Sequence, residues 1–144
     1  MSERANGPPR SGAQHAAVLL FSLSALGEIG IGAFLLTFPQ LAALLLDASL
    51  DGNGLLVARG LGGAALALGL TWWIARNDAR ARARCTAGFI IYNVAVGAVF
   101  VFQARQAARP ALPWLVGVVH LVAGGAFAAA AAFARAMPVA ATRD

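Results

Sequence analysis

Four apolar stretches, each long enough to cross a bilayer, take up most of this chain: residues 16–38, 54–75, 85–103 and 111–134. A hydrocarbon core about 30 Å thick needs about 20 helical residues to span it. Lipid offers backbone amides no partner, so each stretch is expected to be a helix that satisfies them within itself. Composition agrees: 60% of residues are apolar and only 12% charged, with a mean hydropathy of +0.73. The expectation is an all-α, integral membrane, antiparallel four-helix bundle over residues 16–136, left-handed in its packing. Tails of residues 1–15 and 137–144 flank it, and no room is left for a separate soluble domain. The first partner of such a chain is the lipid bilayer.

Basic residues set an orientation. Arg4 and Arg10 precede the first span, Arg76, Arg80, Arg82 and Arg84 fill the second loop, and Arg135 and Arg143 follow the fourth span. The first loop has Asp47 and Asp51 but no basic residue, and the third has Arg105 and Arg109. Eight arginines against two place both termini and the second loop in the cytoplasm by the positive-inside rule. A cleaved signal peptide is disfavoured, because the first apolar run continues past Glu28 to Phe38 without an Ala-x-Ala site. The net charge of +5 and pI near 11.4 do not point to nucleic acid. The excess sits in short segments beside the spans, where it serves topology and anionic headgroups. With Cys85 as the only cysteine, the chain has no internal disulfide or redox pair.

Punctuation along the chain is clear. Residues 1–14 read as a mobile polar tail. Pro39 stops the first helix, and Leu41, Leu44 and Leu45 give residues 40–46 the pattern of a short helix on the outer membrane surface; an irregular apolar loop fits as well. Asp51 begins a turn that caps the second helix. Trp72 and Trp73 are placed at the cytoplasmic interface and Trp114 at the outer one. Pro113 suits the first turn of the fourth helix.

Each span carries a strongly polar residue within it: Glu28, Arg59, Asn93 and His120. Such groups are costly in lipid and normally face protein or a water-filled cavity. Each has a glycine four positions on, at Gly32, Gly63, Gly97 and Gly124. Residues four apart share a helix face, and small residues let membrane helices approach closely. Both rules select the same face on each helix as the interior. From the helical rise, Arg59 is expected roughly 8 Å below the outer surface, His120 roughly 12 to 14 Å, and Glu28 and Asn93 roughly 15 Å.

The candidate ligand-binding residues are therefore Glu28, Arg59, Tyr92, Asn93 and His120. Arg59 would neutralise an anionic or carbonyl group, with Glu28 as counter-ion or proton acceptor; Tyr92, Asn93 and His120 would hydrogen-bond. The alternative is structural: Glu28 and Arg59 neutralise each other and fix helix register, Asn93 is interhelical glue, and Tyr92 and His120 pack. No catalytic residue is assigned. A bis-histidine haem needs two histidines at one level, which His15 and His120 are not, and Glu28 with His120 is too small a set for tetrahedral zinc. Ser22 and Ser24 lack a recognisable triad. No cofactor is specified.

The run Ala58-Arg59-Gly60-Leu61-Gly62-Gly63, continuing to Leu68-Gly69 and Trp73-Ile74-Ala75-Arg76, resembles small bacterial four-span membrane proteins of the DoxX-like group and related uncharacterised families. The proline-ended first span, Tyr92-Asn93 in the third and His120 in the fourth fit the same layout, over about residues 16–134. The resemblance implies a four-span fold and, from some members, quinone-linked chemistry. Together with the Ala/Gly/Arg-rich, lysine-free composition, it places the chain in a bacterial plasma membrane. Three functions fit these features. The first is a membrane protein holding a small molecule or quinone-like lipid in an outward-facing polar cavity. The second is a non-catalytic accessory subunit docking a larger membrane protein through glycine-rich faces. The third is a proton-coupled transporter acting as a homo-oligomer.

Overall fold

The computed structural model of the chain describes residues 12–136. They form α1 (Gly12–Thr37), α2 (Pro39–Leu45), α3 (Gly52–Ala75), α4 (Ala79–Ala104) and α5 (Ala111–Ala136). Four of these, all but α2, are long and apolar enough to cross a membrane, so the chain is a multi-pass membrane protein with an antiparallel four-helix bundle. The expected tail lies mostly outside the described residues, but residues 12–15 belong to the first turn of α1 rather than to a tail.

Local signals explain the boundaries. The chain breaks at Phe38, and Pro39 opens α2 as its first residue, where its missing N–H is no loss. The short helix expected at 40–46 is therefore present, one residue earlier. It buries Pro39, Ala42 and Ala43 and turns Leu41, Leu44 and Leu45 outward, as suits a helix resting on the bundle beside lipid. Asp51 caps α3, accepting from the Gly54 amide at 2.7 Å.

The arginine-rich second loop is shorter than the sequence suggested. Only residues 76–78 turn, and Arg80, Arg82 and Arg84 ride on the first turns of α4. Asp78 starts that helix by accepting from the Arg80 and Ala81 amides at 2.8 and 3.1 Å. The Ala81 and then the Arg80 amide bonds hold its carboxyl below the usual value. A carboxyl depressed in the folded state stabilises above its unfolded pKa and loses that contribution as pH falls through the folded one. Fraying of the α4 start should thus begin only below about pH 4. Amide exchange at Arg80 and Ala81 should show it, and Asp78→Asn should abolish the pH dependence while keeping the cap.

Glycine decides how the helices pair. A Cβ on Gly32 would lie 2.5 Å from the Leu66 amide nitrogen and 2.7 Å from the Gly62 carbonyl oxygen. One on Gly62 would lie 2.9 Å from the Gly32 carbonyl oxygen, and one on Gly69 2.8 Å from that of Ala25. α1 and α3 are therefore in backbone contact along a seam, as small residues permit in membranes. Gly97 and Gly117 do the same for α4 and α5, with Gly124 against Asn93 and Val94. The bundle is two tight pairs, α1/α3 and α4/α5, with far less backbone approach between them. Buried positions alternate by three and four residues: Phe21, Ala25, Glu28 and Gly32 on α1, and Gly62, Ala65, Gly69 and Trp72 on α3. That spacing is the seam of a left-handed supercoil.

Large aromatic side chains fill the space between the pairs toward the arginine-rich end. Phe21, Trp72, Phe89 and Phe127, one from each spanning helix, form a buried cluster. Phe21 meets Phe127 edge-on at 5.2 Å between ring centres, and Phe89 lies 4.2 Å from Phe127. Trp72, expected at the membrane interface, is instead 2% exposed and stacked on Phe89; it falls on the α3 seam three residues after Gly69. Its neighbour Trp73 is half-buried, with the Arg76 guanidinium 3.6 Å above its ring. Cys85 is half-buried beside this cluster.

At the other end one carboxylate ties two loops together. Asp47 takes a left-handed backbone conformation, φ 57°, which aspartate tolerates better than most residues. Its Oδ2 accepts from the amides of Ala108 and Arg109 at 2.7 and 3.2 Å. The segment after α2 is thereby fastened to the α4–α5 connection.

Candidate functional site

The three helices α1, α4 and α5 each bring a polar side chain to one level in the middle of the spans. Glu28 is 6% exposed, Asn93 5% and His120 8%. Glu28 reaches this level because it occupies a seam position of α1, midway between Ala25 and Gly32. Asn93 follows Phe89 and precedes Gly97 on the inner face of α4. His120 lies between Gly117 and Gly124 on the buried face of α5.

The Glu28 carboxylate is the hub. Its Oε2 accepts from the Tyr92 hydroxyl at 2.6 Å, the short length typical of a bond to a charged acceptor. Its Oε1 faces His120 Nε2 at 3.7 Å, too far for a direct hydrogen bond. One α1 side chain therefore engages α4 directly and approaches α5. Tyr92 is held edge-on against Trp72, ring centres 5.7 Å apart, which links the polar level to the aromatic cluster below it. Asn93 donates from Nδ2 to the Phe89 carbonyl at 2.9 Å, and His120 Nδ1 lies 2.9 Å from the Val116 carbonyl oxygen.

Glu28, Asn93 and His120, but not Tyr92, line a cleft of about 230 Å³ between α1 and α5, together with Leu23, Ser24, Gly27, Ile31, Val119 and Ala123. Its rim is formed by exposed mid-span residues: Leu23, Gly27 and Ile31 of α1 and Val119 of α5. The cleft therefore opens sideways between the first and last helices, at mid-membrane depth. It exists because α1 and α5 belong to different tight pairs and make almost no backbone approach to one another.

Four of the five expected site residues, Glu28, Tyr92, Asn93 and His120, are brought together. Arg59 is not. Its side chain is exposed, and it makes no ion pair with Glu28; among the described residues, Glu28 faces only His120 as a cation partner. The reason lies in the register of α3. Its seam passes through Gly62, Ala65, Gly69 and Trp72, so Arg59 falls to one side of the line, as does Gly63, whose added Cβ would meet nothing within 4 Å. Because α3 has glycine at both 62 and 63, glycine spacing alone did not fix the face. A long arginine one or two turns from the helix start also extends to the interface more easily than a mid-span group.

The sequence offered Tyr92 as a hydrogen-bonding candidate but did not pair it with Glu28, whose closest partner it is. The available signal was that both lie at mid-span on helices running in the same direction. Among the described residues no group of three or more His, Cys, Asp or Glu side chains is placed to hold a metal ion. Comparison of the chain with known protein families, curated proteins and solved structures finds no match.

Proposed function

We propose that this is a small membrane protein that binds the head group of a small molecule or quinone-like lipid in the cleft between α1 and α5. The observation that carries this reading is the buried Glu28 carboxylate, one oxygen bonded to Tyr92 and the other turned to His120 across a gap in a cleft open to the bilayer. A purely structural polar group would close its bonds within the bundle. The cleft is smaller than the about 300 Å³ lower bound of whole-ligand pockets, which suits a head group whose tail stays in lipid. The accessory-subunit alternative is left with the glycines that face open space, such as Gly30, Gly60, Gly63 and Gly125, because Gly32, Gly62, Gly69, Gly97 and Gly117 are occupied in packing the bundle itself.

The arginine-rich end, with the second loop, is the cytoplasmic side by the positive-inside rule, and the membrane is the plasma membrane of a bacterium. The layout of Arg59-Gly60, Tyr92-Asn93 and His120 supports grouping the chain with DoxX-like proteins.

Mass spectrometry of small molecules retained by the full chain in mild detergent tests the function. The wild type should carry a bound amphiphile, Glu28→Gln and His120→Ala should lose it, and Arg59→Ala should keep it. Recovery of nothing bound, or retention unchanged by Glu28→Gln, would remove the basis for the proposal.

A further inference from the structure

Hydrogen-bond directions in the cleft restrict what can occupy it. A backbone carbonyl only accepts, so the 2.9 Å contact with Val116 assigns the proton of a neutral His120 to Nδ1. Its Nε2 is then a bare acceptor. The 2.9 Å contact with the Phe89 carbonyl likewise assigns that side of the Asn93 amide as its NH₂ group. Asn93 Oδ1 is thus left as an acceptor with no donor among the described residues, on a side chain only 5% exposed that lines the cleft. Tyr92 uses its one proton on Glu28 Oε2. With His120 neutral, what remains is Glu28 Oε1, His120 Nε2 and Asn93 Oδ1, three acceptors, with the first two facing each other at 3.7 Å. No arginine relieves this arrangement, because Arg59 is exposed on α3 and lines no part of the cleft.

Resting on the reading of the cleft as a ligand site, we propose that it selects amphiphiles whose head group donates hydrogen bonds, a hydroxyl or a protonated amine, and discriminates against carboxylates and simple ketones, so that of a quinone-like lipid it holds the reduced, hydroxyl-bearing form. A hydroxyl placed in the gap donates its one proton to Glu28 Oε1 or His120 Nε2, and a primary ammonium has three protons, one for each of Glu28 Oε1, His120 Nε2 and Asn93 Oδ1. A carbonyl or carboxylate would add acceptors to acceptors, and in a poorly hydrated site each is costly. The apolar rim of Leu23, Ile31 and Val119 provides for the chain that follows the head group.

Four probes with matched chains separate the chemistries: n-decanol, decylamine, decanoate and methyl nonyl ketone. Each is titrated into the full chain in bicelles, reading the His120 side-chain nitrogen resonances by NMR, with His15→Gln used for assignment. Decanol and decylamine should bind at least about tenfold tighter than the other two, and a gap between those two arms tells a hydroxyl site from an ammonium site. In Glu28→Gln the amide nitrogen supplies its own donor to His120, so the preference should collapse. Tighter binding of decanoate or the ketone would overturn the inference while leaving the cleft a ligand site. If none of the four shifted His120, the inference and the proposed function would both fall.

Discussion

Gly32→Ile should unfold the bundle or cost it more than about 3 kcal/mol, the upper end of ordinary overpacking, whereas Gly63→Ile should change stability by less than about 0.5 kcal/mol. The two glycines lie at similar positions in the sequence pattern, each four residues after a polar residue. They differ entirely in what surrounds them. The Cβ added at Gly32 would strike the backbone of Leu66 and Gly62, which yields only if α1 and α3 separate. The one added at Gly63 meets open space and would only gain contact with lipid. Reversible unfolding in bicelles or mixed micelles measures both. Equal effects would mean that the α3 seam has been placed on the wrong line.

Phe89→Ala is expected to have the next largest effect. Phe89 is 0% exposed, stacks on Trp72 and packs against Phe21 and Phe127 at 4.6 and 4.2 Å between ring centres. Emptying such a site costs about 3–5 kcal/mol in water-soluble proteins. Here the loss should fall toward the lower end of that range, because lipid rather than water is the reference for the apolar atoms and only packing is lost. Phe102→Ala, at a position 67% exposed, should be nearly neutral. Since the aromatic cluster supports Tyr92 through Trp72, Phe89→Ala should also weaken ligand retention, which Phe102→Ala should leave intact.

The spans were legible in the sequence because lipid imposes a length and a composition that no other constraint mimics. Caps and breaks were legible too: Pro39 and Asp51 act locally, and local chemistry decides them. Rotation of α3 about its axis was not. A glycine fits either the seam or the lipid face, so with glycines at 60, 62, 63 and 69 the composition of α3 left two faces equivalent, and Arg59 was assigned inward by the cost of charge in lipid. What broke the tie was Trp72, a large side chain with one place to go between the helix pairs. Glu28, Asn93 and His120 were readable because each is flanked on a single face by residues suited to burial. Tyr92 was read as a candidate, but its bond to Glu28 was not, since that bond depends on how α1 and α4 are set side by side across the two pairs, a relation no local pattern encodes.

Those relations meet in the claim that Glu28 is bonded to Tyr92 across the bundle and is independent of Arg59. Two double-mutant cycles, run on unfolding in the same bicelles, test it: Glu28→Ala with Tyr92→Phe, and Glu28→Ala with Arg59→Ala. The structure predicts a coupling of about 1 kcal/mol or more for the first pair and additivity within about 0.5 kcal/mol for the second. Additivity between Glu28 and Tyr92, with coupling between Glu28 and Arg59, would contradict the arrangement described for the cleft.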